Sequence, residues 1–313
     1  MASRFKYNTS QLFNFAQDSY LERTSRPIYA ILFLLPFIVF YEMGTILSTT
    51  DALSRTQDRV VAFIWLQSFL DKYLGLDTKL AWAAPPVAVV VILLGLQLAS
   101  RKPWQFCAAD FGPMMVECIL LAVPLIVLSL FLSGAADPTG KVVEPGYATV
   151  HTQAETLAGW PVAVGLRRAQ SSRGATSPMA AATKDGEPGS KSLLADVVTG
   201  IGAGIYEELI FRLILMCLLM ILLQDLMGLS HNGSITLSVL VSAALFSAHH
   251  HIIFVNGQFA SSSPFSWREF SFRTIAGVYF ALLFAVRGFG ITAGTHAFYD
   301  IMATLINATF FQY

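Results

Sequence analysis

Long apolar runs are the feature that most limits what this sequence can fold into. Hydrophobic residues make up 55% of its 313 positions and charged residues only 13%, whereas a typical soluble domain has about 25% charged residues. A helix needs about 20 apolar residues to cross the hydrocarbon core of a bilayer. Runs of this kind occupy residues 27–47, 80–99, 114–133, 193–229, 235–254, 272–287 and 291–310. The sequence therefore predicts an all-α, polytopic transmembrane bundle of seven to eight membrane helices.

The number of helices depends on the run at 193–229, which is too long for one helix perpendicular to the membrane. It forms either one tilted helix or two helices broken near Gly200, Gly202 and Gly204. These glycines would also let neighbouring helices approach closely.

Composition divides the chain into three parts. Residues 1–133 hold a polar tail and three transmembrane helices, and residues 193–313 hold the remaining helices. Between them, residues 134–192 are rich in Pro, Gly, Ser, Thr and Ala and have too few apolar residues for a core, which predicts a disordered polar loop. A mixed apolar and charged segment at 60–76 predicts an amphipathic helix lying on the membrane surface.

Charge and cysteine usage exclude several classes of protein. The 20 basic and 20 acidic residues give a net charge of zero, which argues against nucleic acid as a partner because phosphate binding needs a positive excess. The three cysteines form no C-x-x-C pair, so neither a disulfide framework nor a thiolate zinc site is supported. The sequence leaves the lipid bilayer and a peptide or membrane protein as the expected partners.

The polar N-terminal tail, about 26 residues long, predicts how the chain is inserted. It lacks the pattern of a cleavable signal peptide, so the first apolar run is expected to stay as a membrane helix. Basic residues of short loops face the cytoplasm, and the tail carries Arg4, Lys6, Arg23 and Arg26. We expect an integral protein of a bacterial inner membrane with a cytoplasmic N-terminus.

Three segments of the C-terminal half carry polar residues inside apolar runs. A charge at the membrane centre costs at least ~2.5–3.5 kcal/mol, so such residues face the bundle interior and usually have a function. The segments are Glu207-Glu208-Leu-Ile-Phe-Arg212, Phe246-Ser-Ala-His249-His250-His251 and His296-Ala-Phe-Tyr-Asp300.

Helical spacing predicts how these residues pair. Glu208 and Arg212 are four residues apart and share a face, whereas Glu207 points about 100° away. Arg212 can therefore hold one acid while the other faces a cavity. His296 and Asp300 are also four apart, so the carboxylate can fix the tautomer of the ring.

The order Glu-Glu-x-x-x-Arg, Phe-x-x-x-His and His-x-x-x-Asp resembles the CPBP family. That family includes the CAAX prenyl-protein endopeptidases and the bacterial Abi or bacteriocin-processing proteins. The resemblance covers about residues 193–310. It implies that Glu207 activates a water and that His250 shares this water, with His249 as the competing histidine if the register is shifted.

The resemblance also assigns the remaining motif residues. Glu208 and Arg212 match a supporting pair, and His296 matches a histidine that stabilises the oxyanion. Asp300 stands where the prenyl-protease branch usually has Asn. Because an ionised Asp only accepts hydrogen bonds, we expect that Asp300 orients His296 or is itself protonated.

These residues predict an intramembrane endopeptidase that cleaves membrane-associated proteins or peptides with a Glu-activated water. No cofactor is required by this mechanism, but zinc held by Glu207, His250 and His296 stays open as a second possibility, since two histidines and a carboxylate can bind it; the activity would then be that of a metalloendopeptidase. The same polar cluster would also suit a proton-coupled transporter or a non-catalytic escort of membrane proteins. A transporter would favour repeat symmetry between the halves, which the sequence does not show.

Three further polar residues lie near predicted span ends. The sequence predicts that Arg273 and Arg287 extend towards the membrane surface or act as topology residues at the span ends. Glu42 is expected at the interface or on the wall of a cavity.

Overall fold

The computed structural model describes residues 18–48, 56–74, 83–134, 149–153, 188–255, 258–261 and 265–310. Within these ranges helices dominate, and the strands form two separate antiparallel ribbons. Four of the described helices are long and apolar enough to cross a membrane, and Ala84–Ser100 is a shorter apolar helix. The prediction of an all-α membrane bundle is confirmed, while the count of seven to eight membrane helices stays a prediction.

The N-terminal half contributes five helices and two strands to the described structure. The helices are α1 (Tyr20–Thr24), α2 (Pro27–Ser48), α3 (Val61–Leu74), α4 (Ala84–Ser100) and α5 (Phe111–Gly134), the last preceded by a 3₁₀ turn at Ala108–Asp110. Strand β1 (Thr56–Val60) pairs with β2 (Thr149–Gln153). The amphipathic helix predicted at 60–76 is present as α3; its predicted place on the membrane surface stays a prediction.

The C-terminal half contains the helices that carry the three motifs. They are α6 (Pro188–Glu208), α7 (Met216–Met220), α8 (His231–His249) and α9 (Trp267–Phe310). Two π-helical segments, Leu209–Leu215 and Ile221–Leu226, flank α7 and make the stretch from α6 continuous. Strands β3 (Ile252–Val255) and β4 (Gln258–Ser261) form the second ribbon.

Of the two alternatives for residues 193–229, the structure has a single helix over Leu193–Leu226. It does not break at Gly200, Gly202 or Gly204; its hydrogen bonding changes from α to π at Leu209, directly after the paired acids. The predicted end of the next span differs from the structure. Helix α8 ends at His249, and residues 252–254, which the sequence places in a membrane span, form part of β3 (Ile252–Val255). By contrast, the gap predicted between spans at 288–290 coincides with Gly288, whose positive φ of 75° interrupts α9.

Helix α6 packs against α9 at the centre of the bundle, and α2, α5 and α8 surround this pair. Glycine permits the close approach: a Cβ on Gly204 would lie 2.5 Å from the backbone nitrogen of Ala297 on α9. A Cβ on Gly202 would lie 2.2 Å from the ring of Tyr41 on α2. The acids at the end of α6 are thereby brought beside the histidine of α9.

The predicted disordered loop at 134–192 lies outside the described residues, apart from the end of α5, β2 and the first turn of α6. The three-part division of the chain stays a prediction.

Arg287 is buried rather than extended to the membrane surface, contrary to the sequence-based expectation. Its side chain is 6% exposed and pairs with Glu117 on α5, with Nε 2.5 Å from Oε1. It also donates to the carbonyl of Leu21 and the hydroxyl of Thr24 near α1. The guanidinium therefore joins α1, α5 and α9 next to the interruption at Gly288.

Neighbouring polar residues share this buried character. Burial, and then a hydrogen bond to Glu117, raise the pKa of the Tyr20 hydroxyl above its usual value. Arg273 is 7% exposed and pairs with Glu269 at 3.1 Å, so it too differs from the expectation. Glu42 is buried and accepts a hydrogen bond from Tyr206 at 3.2 Å, which places it inside the bundle.

Candidate active site

The end of helix α6 buries two adjacent acids. Glu207 is 1% exposed and Glu208 is fully buried. Buried carboxylates persist only where hydrogen-bond donors or opposite charges compensate the loss of hydration. The surrounding helices supply such partners, and they differ for the two acids.

Glu208 binds one partner on its own helix and one on α9. Arg212 Nε lies 3.1 Å from Glu208 Oε2, as the four-residue spacing predicts. His296 Nδ1 lies 2.8 Å from Glu208 Oε1. The carboxylate therefore connects α6 to α9, and since it only accepts, His296 Nδ1 carries a proton.

The guanidinium of Arg212 is enclosed by apolar groups. Its central carbon lies 4.2 Å from the ring centroid of Phe246 and 5.6 Å from that of Phe280. Nη2 donates to the carbonyl of Gly277 on α9 at 3.3 Å. Arginine suits such a site because its planar, weakly hydrated cation stacks on aromatic faces. Arg212 thus fixes the relative position of α6, α8 and α9.

Glu207 faces the end of helix α8. Its Oε1 lies 3.4 Å from His249 Nε2, and its Oε2 lies 3.8 Å from His250 Nε2. Both histidines therefore reach the same carboxylate, one at each oxygen. The motif left His249 and His250 as competitors for one role, whereas the structure brings both rings to Glu207.

A single backbone carbonyl orients both rings. His249 Nδ1 lies 2.6 Å and His250 Nδ1 2.8 Å from the carbonyl oxygen of Phe246. This carbonyl is in the last turn of α8, where helix carbonyls lose their intrahelical partners; the amide of His250 bonds to Ser247 and Ala248 instead. The Phe of the Phe-x-x-x-His motif thus contributes its main chain as well as its ring.

The tautomers follow from these contacts. A carbonyl only accepts hydrogen bonds, so Nδ1 of His249 and of His250 carries the proton and a neutral ring presents a lone pair at Nε2. One nitrogen or oxygen atom from each of Glu207, His249 and His250 lies within 4.8 Å of the others. A water at the centre of this triangle would be within about 2.8 Å of all three acceptors.

His296 lies between two carboxyl groups: its Nδ1 faces Glu208 and its Nε2 faces Asp300. His296 Nε2 is 3.5 Å from Asp300 Oδ2, which agrees with the predicted four-residue pairing. Phe280 stacks on the imidazole at 4.5 Å between ring centroids. No sequence signal marks Phe280, because it is one apolar residue within an apolar run.

The same atoms define the residues that could hold a metal. Two Nε2 lone pairs and a carboxylate, with a backbone carbonyl behind the rings, suit a three-ligand zinc site. Among the described residues, Glu207, His249 and His250 lie close enough together to share a metal. The set of Glu207, His250 and His296 expected from the sequence stays a prediction. Glu207 and His250 are common to both sets.

Comparison with known proteins relates the part of the chain that carries this site to a protein family. Residues 189–302 match the family model described as Type II CAAX prenyl endopeptidase Rce1-like. This part of the chain is similar to that family. The CPBP resemblance carried by the three motifs is thereby confirmed, and the Rce1-like region includes Glu207, His249, His250, His296 and Asp300. A search of curated proteins and of solved structures found no match to the chain.

Proposed function

We propose that the protein is an intramembrane endopeptidase in which Glu207 activates water for attack on a peptide bond. The observation that supports this most is the triangle of acceptors formed by Glu207 and the two Nε2 atoms of His249 and His250. The similarity of the Rce1-like region to a protease family agrees with it. Peptide hydrolysis needs such an activated nucleophile inside a water-poor site.

In the proposed first step, Glu207 removes a proton from the water while His249 or His250 accepts its second hydrogen bond. The oxygen attacks the peptide carbonyl carbon, whose oxygen becomes an anion. His296 is the donor proposed for this anion. Because Nδ1 already donates to Glu208, only Nε2 is left for the oxyanion, and this role requires the doubly protonated ring.

In the second step, the protonated Glu207 delivers its proton to the leaving amine, and the carbon–nitrogen bond breaks. Glu208 and Arg212 take no proton in this scheme; they hold His296 and the helices in place. Asp300 orients His296 from the opposite side. The products are a carboxylic acid and an amine, and the site returns to its initial protonation.

The substrates proposed are membrane-associated proteins or peptides, because Glu207 and His296 lie within apolar helices that are long enough to span a bilayer. A bacterial inner membrane with the N-terminus in the cytoplasm is the proposed location.

The test is cleavage of a membrane-peptide library by the detergent-purified protein. Wild type would be compared with Glu207→Gln, His250→Ala and His296→Ala. General-base catalysis contributes about 10²–10⁴-fold, so Glu207→Gln is expected to lose at least that much activity. Undiminished cleavage by Glu207→Gln would rule out the assigned base. Cleavage by none of the proteins would shift attention to the escort role, tested by capture of membrane partners.

A metal-dependent version of the same hydrolysis is the second candidate, supported by the ligand set Glu207, His249 and His250. A zinc ion there would supply Lewis-acid activation of water. Dialysis against a strong chelator separates the two versions. Activity that survives the chelator supports the metal-free scheme, and activity that is lost and then restored by zinc supports the metal.

A further inference from the structure

The imidazole of His249 is enclosed by aromatic rings from two parts of the chain. Phe211 and Phe246 lie 4.8 Å and 5.6 Å from it, measured between ring centroids. Trp65 lies at 5.9 Å with its plane tilted by 58°. Within the described residues, Trp65 is a ring contact of His249 that comes from α3. This helix lies outside the Rce1-like region of residues 189–302.

Helix α3 packs beside the paired acids Glu207 and Glu208. Phe63 packs edge-on against Tyr206 at 4.9 Å, and Tyr206 directly precedes Glu207. Tyr41 of α2 packs on both rings, at 6.0 Å from Phe63 and 5.6 Å from Tyr206. Because these rings are buried, the position of Trp65 follows from the same packing that positions Glu207.

The hydrogen bond from His249 Nδ1 to the carbonyl of Phe246 fixes one edge of the imidazole. The tilt of the ring is limited by the rings packed against it, which include His250 at 4.0 Å between centroids. Trp65 and Phe211, whose centroids are 6.4 Å apart, also lie against the ring and restrict its tilt. Nε2 therefore stays directed at Glu207.

We propose that Trp65 is a positioning residue, whose indole holds the His249 imidazole in the orientation that directs Nε2 to Glu207. The effect of Trp65 on turnover rests on the proposed function, whereas its effect on the orientation of the His249 imidazole does not depend on any activity. The N-terminal half, which lies outside the Rce1-like region, thus supplies one wall of the active site.

Trp65 also separates the site from an apolar groove. The groove has a volume of about 680 Å³ and lies between α3, α4 and the first π-helical segment. Its walls include Trp65, Phe69, Val87, Val91, Ile210 and Ile214. Removing the indole would therefore free the imidazole and open the groove towards it, whereas shortening Phe69 would enlarge the groove alone.

The kinetic test compares Trp65→Ala, Trp65→Phe and Phe69→Ala. A misplacement of about 1 Å can cost 10²-fold in rate, so Trp65→Ala is expected to lower kcat roughly 10- to 100-fold. Trp65→Phe keeps a ring and should recover most of kcat, and Phe69→Ala should leave it unchanged. Equal losses in Trp65→Ala and Phe69→Ala, or a loss confined to KM, would overturn the proposal.

A spectroscopic test does not depend on any activity. Ring carbons of the six histidines would be labelled with ¹³C, and the signal of His249 assigned by its absence in His249→Gln. Loss of the indole should shift and broaden this signal in Trp65→Ala but leave that of His296 in place. An unchanged His249 signal would overturn the proposal even if the protein cleaves peptides; a shifted signal in a protein without peptidase activity would refute only the proposed function.

Discussion

Glu207 and Glu208 are adjacent in sequence, but their carboxylates bind different partners. Glu208 lies between an arginine and a histidine at 3.1 and 2.8 Å, whereas Glu207 approaches two imidazoles at 3.4 and 3.8 Å. The first set of contacts is short and joins helices. The second leaves room for a reacting water. Under the proposed function, these adjacent buried acids separate into a structural and a chemical role.

Replacing each acid by its amide should distinguish these roles. Glu207→Gln is expected to lose at least about 10²-fold in kcat with little change in thermal unfolding. Glu208→Gln leaves the buried guanidinium of Arg212 without its counter-ion, which typically costs about 3–5 kcal/mol of stability. Cleavage assays and thermal unfolding in the same detergent measure both effects. A stability loss in Glu207→Gln as large as in Glu208→Gln would contradict the division.

The two histidines at Glu207 are expected to act as a unit. His249→Ala and His250→Ala should each lower kcat, because each removes one of the two rings that hold the proposed water beside Glu207. Residues that act together are strongly non-additive, so the double variant should be little slower than the slower single variant. If the double variant instead loses kcat by the product of the two single losses, the rings serve separate steps.

Asp300→Asn should be tolerated, whereas Asp300→Leu should not. In the doubly protonated His296 that the proposed mechanism requires, Nε2 carries a proton, and the side-chain oxygen of Asn can accept from it as the carboxylate does. Leucine offers no polar contact to a ring nitrogen at 3.5 Å. We expect near-normal kcat for the amide and a large loss for leucine, measured on peptide cleavage. Inactivity of both variants would show that the carboxyl group itself is required.

Gly204→Ala should disturb the site through the backbone. The added methyl would lie 2.5 Å from the nitrogen of Ala297, the residue after His296, and cannot be accommodated by a side-chain rotation. Overpacking of this kind costs about 1–3 kcal/mol, and it would move His296 away from Glu208. Gly95→Ala is the matched control, because nothing lies within 4 Å of its added methyl. Thermal unfolding and kcat should both fall for Gly204→Ala only.

The pair formed by Arg287 and Glu117 predicts a stability effect outside the site. Arg287→Met would leave Glu117 with its Tyr20 contact alone among the polar contacts described for it. Loss of one partner of a buried ion pair costs about 3–5 kcal/mol, and replacing both by apolar residues is often close to neutral. Thermal unfolding should therefore recover in Arg287→Met combined with Glu117→Leu. No recovery would indicate that the contacts to Leu21 and Thr24 dominate.

Contacts between residues close in sequence could be predicted, because helix geometry alone places them together. Glu208 with Arg212 and His296 with Asp300 follow from a spacing of four residues. The interruption at Gly288 follows from a gap between apolar runs. The three motifs likewise identify the acids and two of the histidines by residue type and order alone.

Contacts between distant segments could not be predicted in this way. The bond from His296 to Glu208 joins residues 88 positions apart, and nothing in an apolar pattern specifies the partner. The end of α8 at His249 was missed because an apolar run resumes at Ile252, directly after the three histidines. Arg287 was misassigned because a basic residue at a span end has the same pattern whether it extends to water or is buried with an acid.

Both imidazoles at Glu207 take their position from the Phe246 carbonyl, which precedes them in the chain. Both Nδ1 contacts are made between residues 246 and 250, at the end of α8. A substitution in the connection from His251 to the start of α9 is therefore expected to leave both contacts in place.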